Sequence, residues 1–339
     1  MTMQRVQRVV RAARAASLRL GHCSGPERRS ILLSMADALS RPDLRARVLE
    51  ANAADLREAR DKQARGELAP ALVDRLVLDE RKLDALCDGL RQLADQTDLV
   101  GRTTLERELD DGLVLRRVTC PLGVLAVVFE ARPDAVPQIT GLAMRTGNAV
   151  VLKGGSEAQR SNAALVELLR ECLRDQGFDA DAIGLLEGRA EVDELLALDR
   201  DVDLVIARGS TRFVQHVQAS SKIPVLGHAE GLCHMVLHPS AEPAMAARLV
   251  VDAKCSYPAA CNAVETLLWE PGAESALDAC VQALRERGVE LRACAQTRAR
   301  HPDLTPATAT DWSTEHGALA LGIPRVAALH AALAHTARP

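Results

Sequence analysis

The sequence predicts an α/β protein in two parts, a doubly wound parallel sheet preceded by helices and then a second α/β unit. Three observations predict it. Residues up to about Leu99 read as helices alone. From about Leu113 to Ile223, short apolar runs alternate with amphipathic helices, the pattern of a parallel sheet covered on both faces. After Gly227 a strand-and-helix alternation starts afresh, so the expected domains are 1–226 and 227–339. A chain of 339 residues has room for two such cores.

Among the early helices, SGPERRSILLSMADALS carries Ser24 and Pro26 as start signals and an apolar stripe of Ile31, Leu32, Met35 and Leu39. Ahead of it lie Arg5, Arg8, Arg11, Arg14 and Arg19, with no acid before Glu27. That bias superficially resembles an organelle transit peptide. Val6, Val9, Val10, Ala13 and Leu18 also suit an ordinary amphipathic helix of the fold, and a cytoplasmic protein is the default expectation.

The doubly wound part runs GVLAVVF, DAVPQITGLAMRTG, NAVVLKG, SEAQRSNAALVELLRECLRDQG, AIGLLEG, EVDELLALD, VDLVIARG and STRFVQHVQASS. Its near-continuous apolar strands fit a sheet buried on both faces. The second part runs LCHMVLHPSA, the helix AEPAMAARLVVDAK, the strand AVETLLWE closed by Pro271 and Gly272, and the helix ALDACVQALRERG.

Hydrophobic residues make up 47% and charged residues 26%, which sets the chain among globular proteins. A net charge of −4 gives no reason to expect nucleic acid or an anionic membrane as partner, and 2% aromatics leave little for stacking bases. A small-molecule substrate fits better. Nine cysteines, with no CxxC pair among them, suggest neither a zinc knuckle nor a disulfide framework, so free thiols in a reducing cytosol are expected and no metal site.

The sequence lacks GxGxxG, GxxxxGK[ST], HExxH and GxSxG, so any cofactor is held by another route. Two strand-to-helix junctions offer one: Lys153, Gly154, Gly155 and Ser156 after NAVVL, and Gly209, Ser210 and Thr211 after VDLVIAR. Small residues and free backbone N–H groups at a helix start favour an anion such as a pyrophosphate. The same residues also read as plain turn and N-cap chemistry. The chain uses 37 arginines and only five lysines, and Lys153, Lys222 and Lys254 fall in the segments at issue, where a compact ammonium suits better than a planar fork.

Cys261, in AKCSYPAACNAVETLL, sits on a loop just before a strand. A thiolate there is a strong nucleophile that forms thioesters, although a single cysteine taken alone also reads as a small buried hydrophobe. His228 and His234 lie nearby in sequence without metal-ligand spacing.

LRRVTCPLGVLAVVFEARPDAV, GNAVVLKGGSEA, ARGSTRFV, KIPVLGHAEGLCH and YPAACNAVETLL together resemble the γ-glutamyl phosphate reductases, or glutamate-5-semialdehyde dehydrogenases, of the aldehyde dehydrogenase superfamily. The similarity extends from the N-terminus to about Leu321, and the EARP, LKGGSEA and PAACNA stretches are its specific part. It implies an aldehyde dehydrogenase-like fold, with a Rossmann-type NADP domain lacking the glycine fingerprint, a cysteine-bearing catalytic domain and a homo-oligomer built with an extended arm. Residue by residue, Cys261 matches the nucleophile, Lys153 the lysine at the adenosine ribose or its 2′-phosphate, Ser210 with Gly209 the pyrophosphate contact, and Glu315 the glutamate at the nicotinamide ribose. Ser156 stands where NAD-preferring members carry an acid, so NADP(H) is the expected cofactor.

PVLGHAEG holds no equivalent of the family's water-activating glutamate, and ungapped counting from Lys153 puts Glu130 at the place of its oxyanion asparagine. The oxyanion donors then reduce to backbone N–H groups near Cys261. The implied reaction is NADPH-dependent reduction of L-glutamyl 5-phosphate to L-glutamate 5-semialdehyde in proline biosynthesis, with functional association with glutamate 5-kinase. After Glu315 the similarity drifts, and Pro339 falls several tens of residues before the family's usual end, so a catalytic domain incomplete at its C-terminus is expected. The alternatives are a shortened, inactive paralogue that binds nucleotide or a partner, and a reductase of another acyl or aldehyde substrate.

Overall fold

The structure is a computed structural model that describes residues 2–68, 70–188, 190–209, 211–228 and 231–337. It divides into two compact units, Met1–Ala229 and Glu230–Pro339.

The first unit opens with five helices, α1 (Thr2–Leu20), α2 (Gly25–Ser40), α3 (Pro42–Ala64), α4 (Pro70–Leu76) and α5 (Glu80–Asp95). The expected start of α2 is borne out: Ser24 and Glu27 form a reciprocal capping box, Pro26 lies in the first turn, and Ile31, Leu32, Met35 and Leu39 are all buried. The arginine-rich α1 is an amphipathic helix of the core, with Val6, Val10 and Ala13 buried and arginines paired on its outer face, Arg14 with Asp203 among them.

Two strands then form a hairpin, β1 (Thr103–Asp110) and β2 (Leu113–Val118), turning at Asp111 and Gly112. Every residue of both strands is exposed, including Leu105, Leu109, Leu113 and Leu115. Sequence reading missed this hairpin, because with both faces exposed no apolar alternation marks it. Only the Asp-Gly pair signals it, and Gly112 takes the positive φ of 74° that such a turn needs.

A five-stranded parallel sheet follows, with β3 (Val124–Val128), β4 (Ala149–Lys153), β5 (Ile183–Leu186), β6 (Leu204–Arg208) and β7 (Val225–His228) in the spatial order β5-β4-β3-β6-β7. Helices α6 (Ala135–Arg145), α7 (Gln159–Asp175), α8 (Ala190–Leu196) and α9 (Thr211–Ser220) connect the strands. The chain winds outward from β3 to β5 and then crosses back to β6, so the topological switch lies between β3 and β6. Ala126, Val150, Val151, Leu152 and Val205 are fully enclosed, which is why these strands read as unbroken apolar runs.

The second unit is another parallel sheet, in the order β11-β10-β12-β9-β8, from β8 (Cys233–Leu237), β9 (Val264–Trp269), β10 (Glu290–Ala293), β11 (Thr305–Pro306) and β12 (Ala320–Ile323). Helices α10 (Pro243–Cys255), α11 (Glu274–Glu286), α12 (Ala295–Arg300) and α13 (Leu329–Thr336) accompany it. Its own core gathers Leu237, Val250, Leu267, Leu277, Leu284, Leu321 and Ile323. Among the described residues no helix is long and apolar enough to cross a membrane.

Candidate active site

In the first unit the candidate cofactor residues stand at the carboxyl ends of β4 and β6, the two strands that flank β3. Lys153 ends β4, half-buried, with its Nζ 2.8 Å from Gly154 O. Ser156, exposed, begins the one-turn helix Ser156–Ala158 that leads into α7. A buried polar clamp fixes this turn, since Asp55 on α3 accepts from Ser161 N at 2.8 Å and Ser161 Oγ at 2.7 Å. Glu157, the neighbour of Ser156, folds back against Gly155 and accepts from Ala131 N at 2.7 Å. It thereby steadies a non-glycine residue at φ 21°.

Gly209 follows β6, across the switch point from the end of β3. A side-chain carbon there would come within 2.9 Å of Glu130 Oε1, the end of an exposed side chain that would have to shift. Ser210 lies outside the described residues, as does the side chain of His228. The glycines and Lys153 could hold the phosphates of a dinucleotide. Two carboxylates oppose an anion at these junctions, Glu130 beside Gly209 and Glu157 beside Gly155, and a pyrophosphate seated at Gly209 requires the Glu130 carboxylate to turn outward.

In the second unit Cys261 is half-buried on the loop between α10 and β9. Two turn hydrogen bonds shape the loop, Ala260 N to Tyr257 O at 3.0 Å and Ala263 N to Ala260 O at 2.9 Å. Among the described residues, the N–H groups of Cys261 and Asn262 have no backbone acceptor, which makes them the loop's available oxyanion donors. Gly231 lies directly against the loop: a Cβ on it would stand 2.1 Å from Cys261 O, so only glycine permits this approach. Cys233 Sγ donates to the same carbonyl at 3.6 Å. Glu315 Oε2 accepts from Gly231 N at 2.9 Å, which brings Glu315 into the surroundings of Cys261. Sequence reading missed Gly231 and Cys233, whose part depends on contacts across the fold that leave no local pattern.

The other thiols differ in kind. Burial pushes Cys172 up to about 11 and Cys280 up to about 12, which makes both poor nucleophiles near neutral pH. Burial also raises Cys233, helped by the charges of Cys261, Glu315 and Glu265. Cys294 is the exception: burial works against its thiolate, but donors from Thr297, Arg325 and Gln296 outweigh it and lower the thiol. His234 packs edge-on against His335 at 5.2 Å, and burial lowers its pKa. Among the described residues no cluster of three or more His, Cys, Asp or Glu gathers as a metal ion would need.

The approach to Glu315 is set by Asp311. Burial disfavours its charge, yet the N–H and hydroxyl of Thr308, at 2.6 and 2.8 Å, and the guanidinium of Arg292, at 2.7 Å, hold it at about 2. A carboxyl depressed in the folded state stabilises above its unfolded value and loses that contribution as pH falls through the folded one. Asp311→Asn should therefore destabilise this unit by on the order of 1–2 kcal/mol at neutral pH after solvent screening, with the difference shrinking between about pH 4 and pH 2. Both tryptophans, Trp269 and Trp312, lie in this unit, so denaturant titrations followed by their fluorescence check it. A difference independent of pH would contradict the assignment.

The fold and the cysteine loop define the class of protein. Residues 1–311 match the aldehyde dehydrogenase family, and the chain belongs to it. Within that family it groups with proteins named gamma-glutamyl phosphate reductase. It is 47% identical over 331 residues to that of Synechococcus sp. (strain JA-3-3Ab), covering 97% of this chain and 72% of the relative. To that of Natronomonas pharaonis it is 45% identical over 328 residues, covering 96% and 74%. The crystal structure of gamma-glutamyl phosphate reductase from Thermotoga maritima superposes with a TM-score of 0.90 at 32% identity, covering 97% of this chain and 79% of that one. The resemblance read from EARP, LKGGSEA and PAACNA is thus borne out, and with it the aldehyde dehydrogenase-like α/β fold.

Proposed function

We propose that this chain reduces L-glutamyl 5-phosphate to L-glutamate 5-semialdehyde, releasing phosphate, with Cys261 as covalent nucleophile, as the second step of proline biosynthesis. The observation that carries the reading is a half-buried cysteine on a loop offering free backbone N–H groups, in a chain with near relatives named for this reaction. The Cys261 thiolate attacks the acyl carbon, the bond to phosphate oxygen breaks, and a thioester forms. The Cys261 and Asn262 N–H groups face the oxygen on which charge develops. A nicotinamide cofactor, when bound, supplies the hydride that takes the thioester to the thiohemiacetal. Collapse of that adduct returns the thiolate and frees the aldehyde. No water-activating base is needed, in keeping with the lack of a glutamate matching the one that oxidising members carry in this stretch.

NADPH is the proposed cofactor, with Lys153 and Ser156 at the adenosine ribose, Gly209 and Ser210 at the pyrophosphate, and Glu315 at the nicotinamide ribose. An acyl phosphate hydrolyses readily in water, so glutamate 5-kinase is the natural functional partner, in the cytoplasm. The exposed leucines of the β1–β2 hairpin suit an arm within a homo-oligomer.

The reaction run backwards tests this reading. Glutamate 5-semialdehyde should reduce NADP only when inorganic phosphate is present, since phosphate is what releases the acyl group from Cys261. Reduction that proceeds equally without phosphate would assign the chain to the hydrolytic aldehyde dehydrogenases instead.

A further inference from the structure

Among the described residues, Lys254 and Glu265 are the most deeply enclosed charges of the second unit, with exposures of 0% and 1%, and Lys254 Nζ lies 2.9 Å from Glu265 Oε2. Lys254 is in the last turn of α10 and Glu265 is the second residue of β9. The chain between them is the loop that carries Cys261, so one ion pair ties the entry of that loop to its exit. The other carboxylate oxygen, Glu265 Oε1, accepts from Gly317 N at 3.4 Å, on the segment that bears Glu315. Glu315 in turn holds Gly231, whose Cα abuts Cys261 O.

A cation at a helix C-terminus is favourable in itself, but that interaction needs no burial. Enclosing both charges is costly, and a matched apolar pair would hold α10 to β9 at least as well. What an apolar pair lacks is direction: the hydrogen-bonded pair fixes where both ends of the loop sit and links them to the Glu315 segment.

We propose that Lys254 and Glu265 act as positioning residues, a clasp that sets the Cys261 loop in its reactive geometry. The proposal rests on Cys261 being the nucleophile, and one arm of its test does not require that. The full-length double variant Lys254→Met/Glu265→Leu removes the charges and keeps the volume. Its melting temperature should stay near that of the parent. Backbone amides of residues 256–263 should exchange with deuterium faster, while α10 and β9 exchange as in the parent. kcat should fall about 10- to 100-fold, as expected for a nucleophile displaced by about an ångström, with KM for the acyl phosphate within about twofold.

A double variant with parental loop exchange and parental kcat would overturn the clasp and leave the pair as mere packing. If the double variant does not fold, Glu265→Gln keeps the shape and the acceptor for Gly317, and the same loop-confined changes in exchange and kcat should appear in it. If neither folds, the pair determines the fold and not the loop, and the proposal falls. A parent chain inactive on glutamyl phosphate would sink the functional reading, whereas loop exchange would still decide the clasp.

Discussion

Cys261→Ala is expected to lower turnover by on the order of 10⁴-fold or more, because no other described group stands in the place of the covalent nucleophile. The change deletes one half-buried sulfur, so melting and NADPH binding should stay near parental values. Cys172 and Cys280 are pushed too high by burial to substitute near neutral pH. Cys294 is the control that matters, since its hydrogen-bond donors favour a thiolate. Cys294→Ala should leave the rate close to parental, and steady-state assays of the two variants side by side decide between them. Most of the activity surviving in Cys261→Ala would remove the thioester from the mechanism.

The second large effect concerns the cofactor. Ser156→Glu should weaken NADPH by about 1–3 kcal/mol, roughly 5- to 150-fold in Kd, by setting a carboxylate beside the 2′-phosphate, and should change NADH little. The existing acid next door, Glu157, is tied to the Ala131 N–H and lies against Gly155, and its charge is common to parent and variant. Fluorescence titration of both cofactors checks it. An unchanged Kd for NADPH would mean that position 156 does not face the adenosine ribose.

The sheet of the first unit was legible because burial on both faces forces unbroken apolar runs such as NAVVL, and α2 because Ser24 and Pro26 announce a helix start locally. Cys261 and the Lys153 junction were singled out only through the resemblance, since composition and spacing alone left each with an ordinary structural reading. The β1–β2 hairpin was not, as exposure of both faces erases the period-two signal. Gly231, Cys233 and the Lys254–Glu265 pair were not read either. Each meets the Cys261 loop through a contact that folding creates, and a sequence records neither a 2.1 Å clearance nor which lysine ends up fully enclosed. Glu130 was noticed only by counting, which gave no sign that its carboxylate rests against Gly209.

Whether the acyl group passes through Cys261 is read directly by rapid-quench mass spectrometry. The chain is mixed with glutamate 5-kinase, ATP and glutamate in the absence of NADPH, quenched in acid and digested. A glutamyl group is expected on the peptide containing Cys261, lost on adding NADPH before the quench and absent in Cys261→Ala. Glutamyl phosphate consumed by the parent on adding NADPH, with no adduct at Cys261 under any condition, would contradict it.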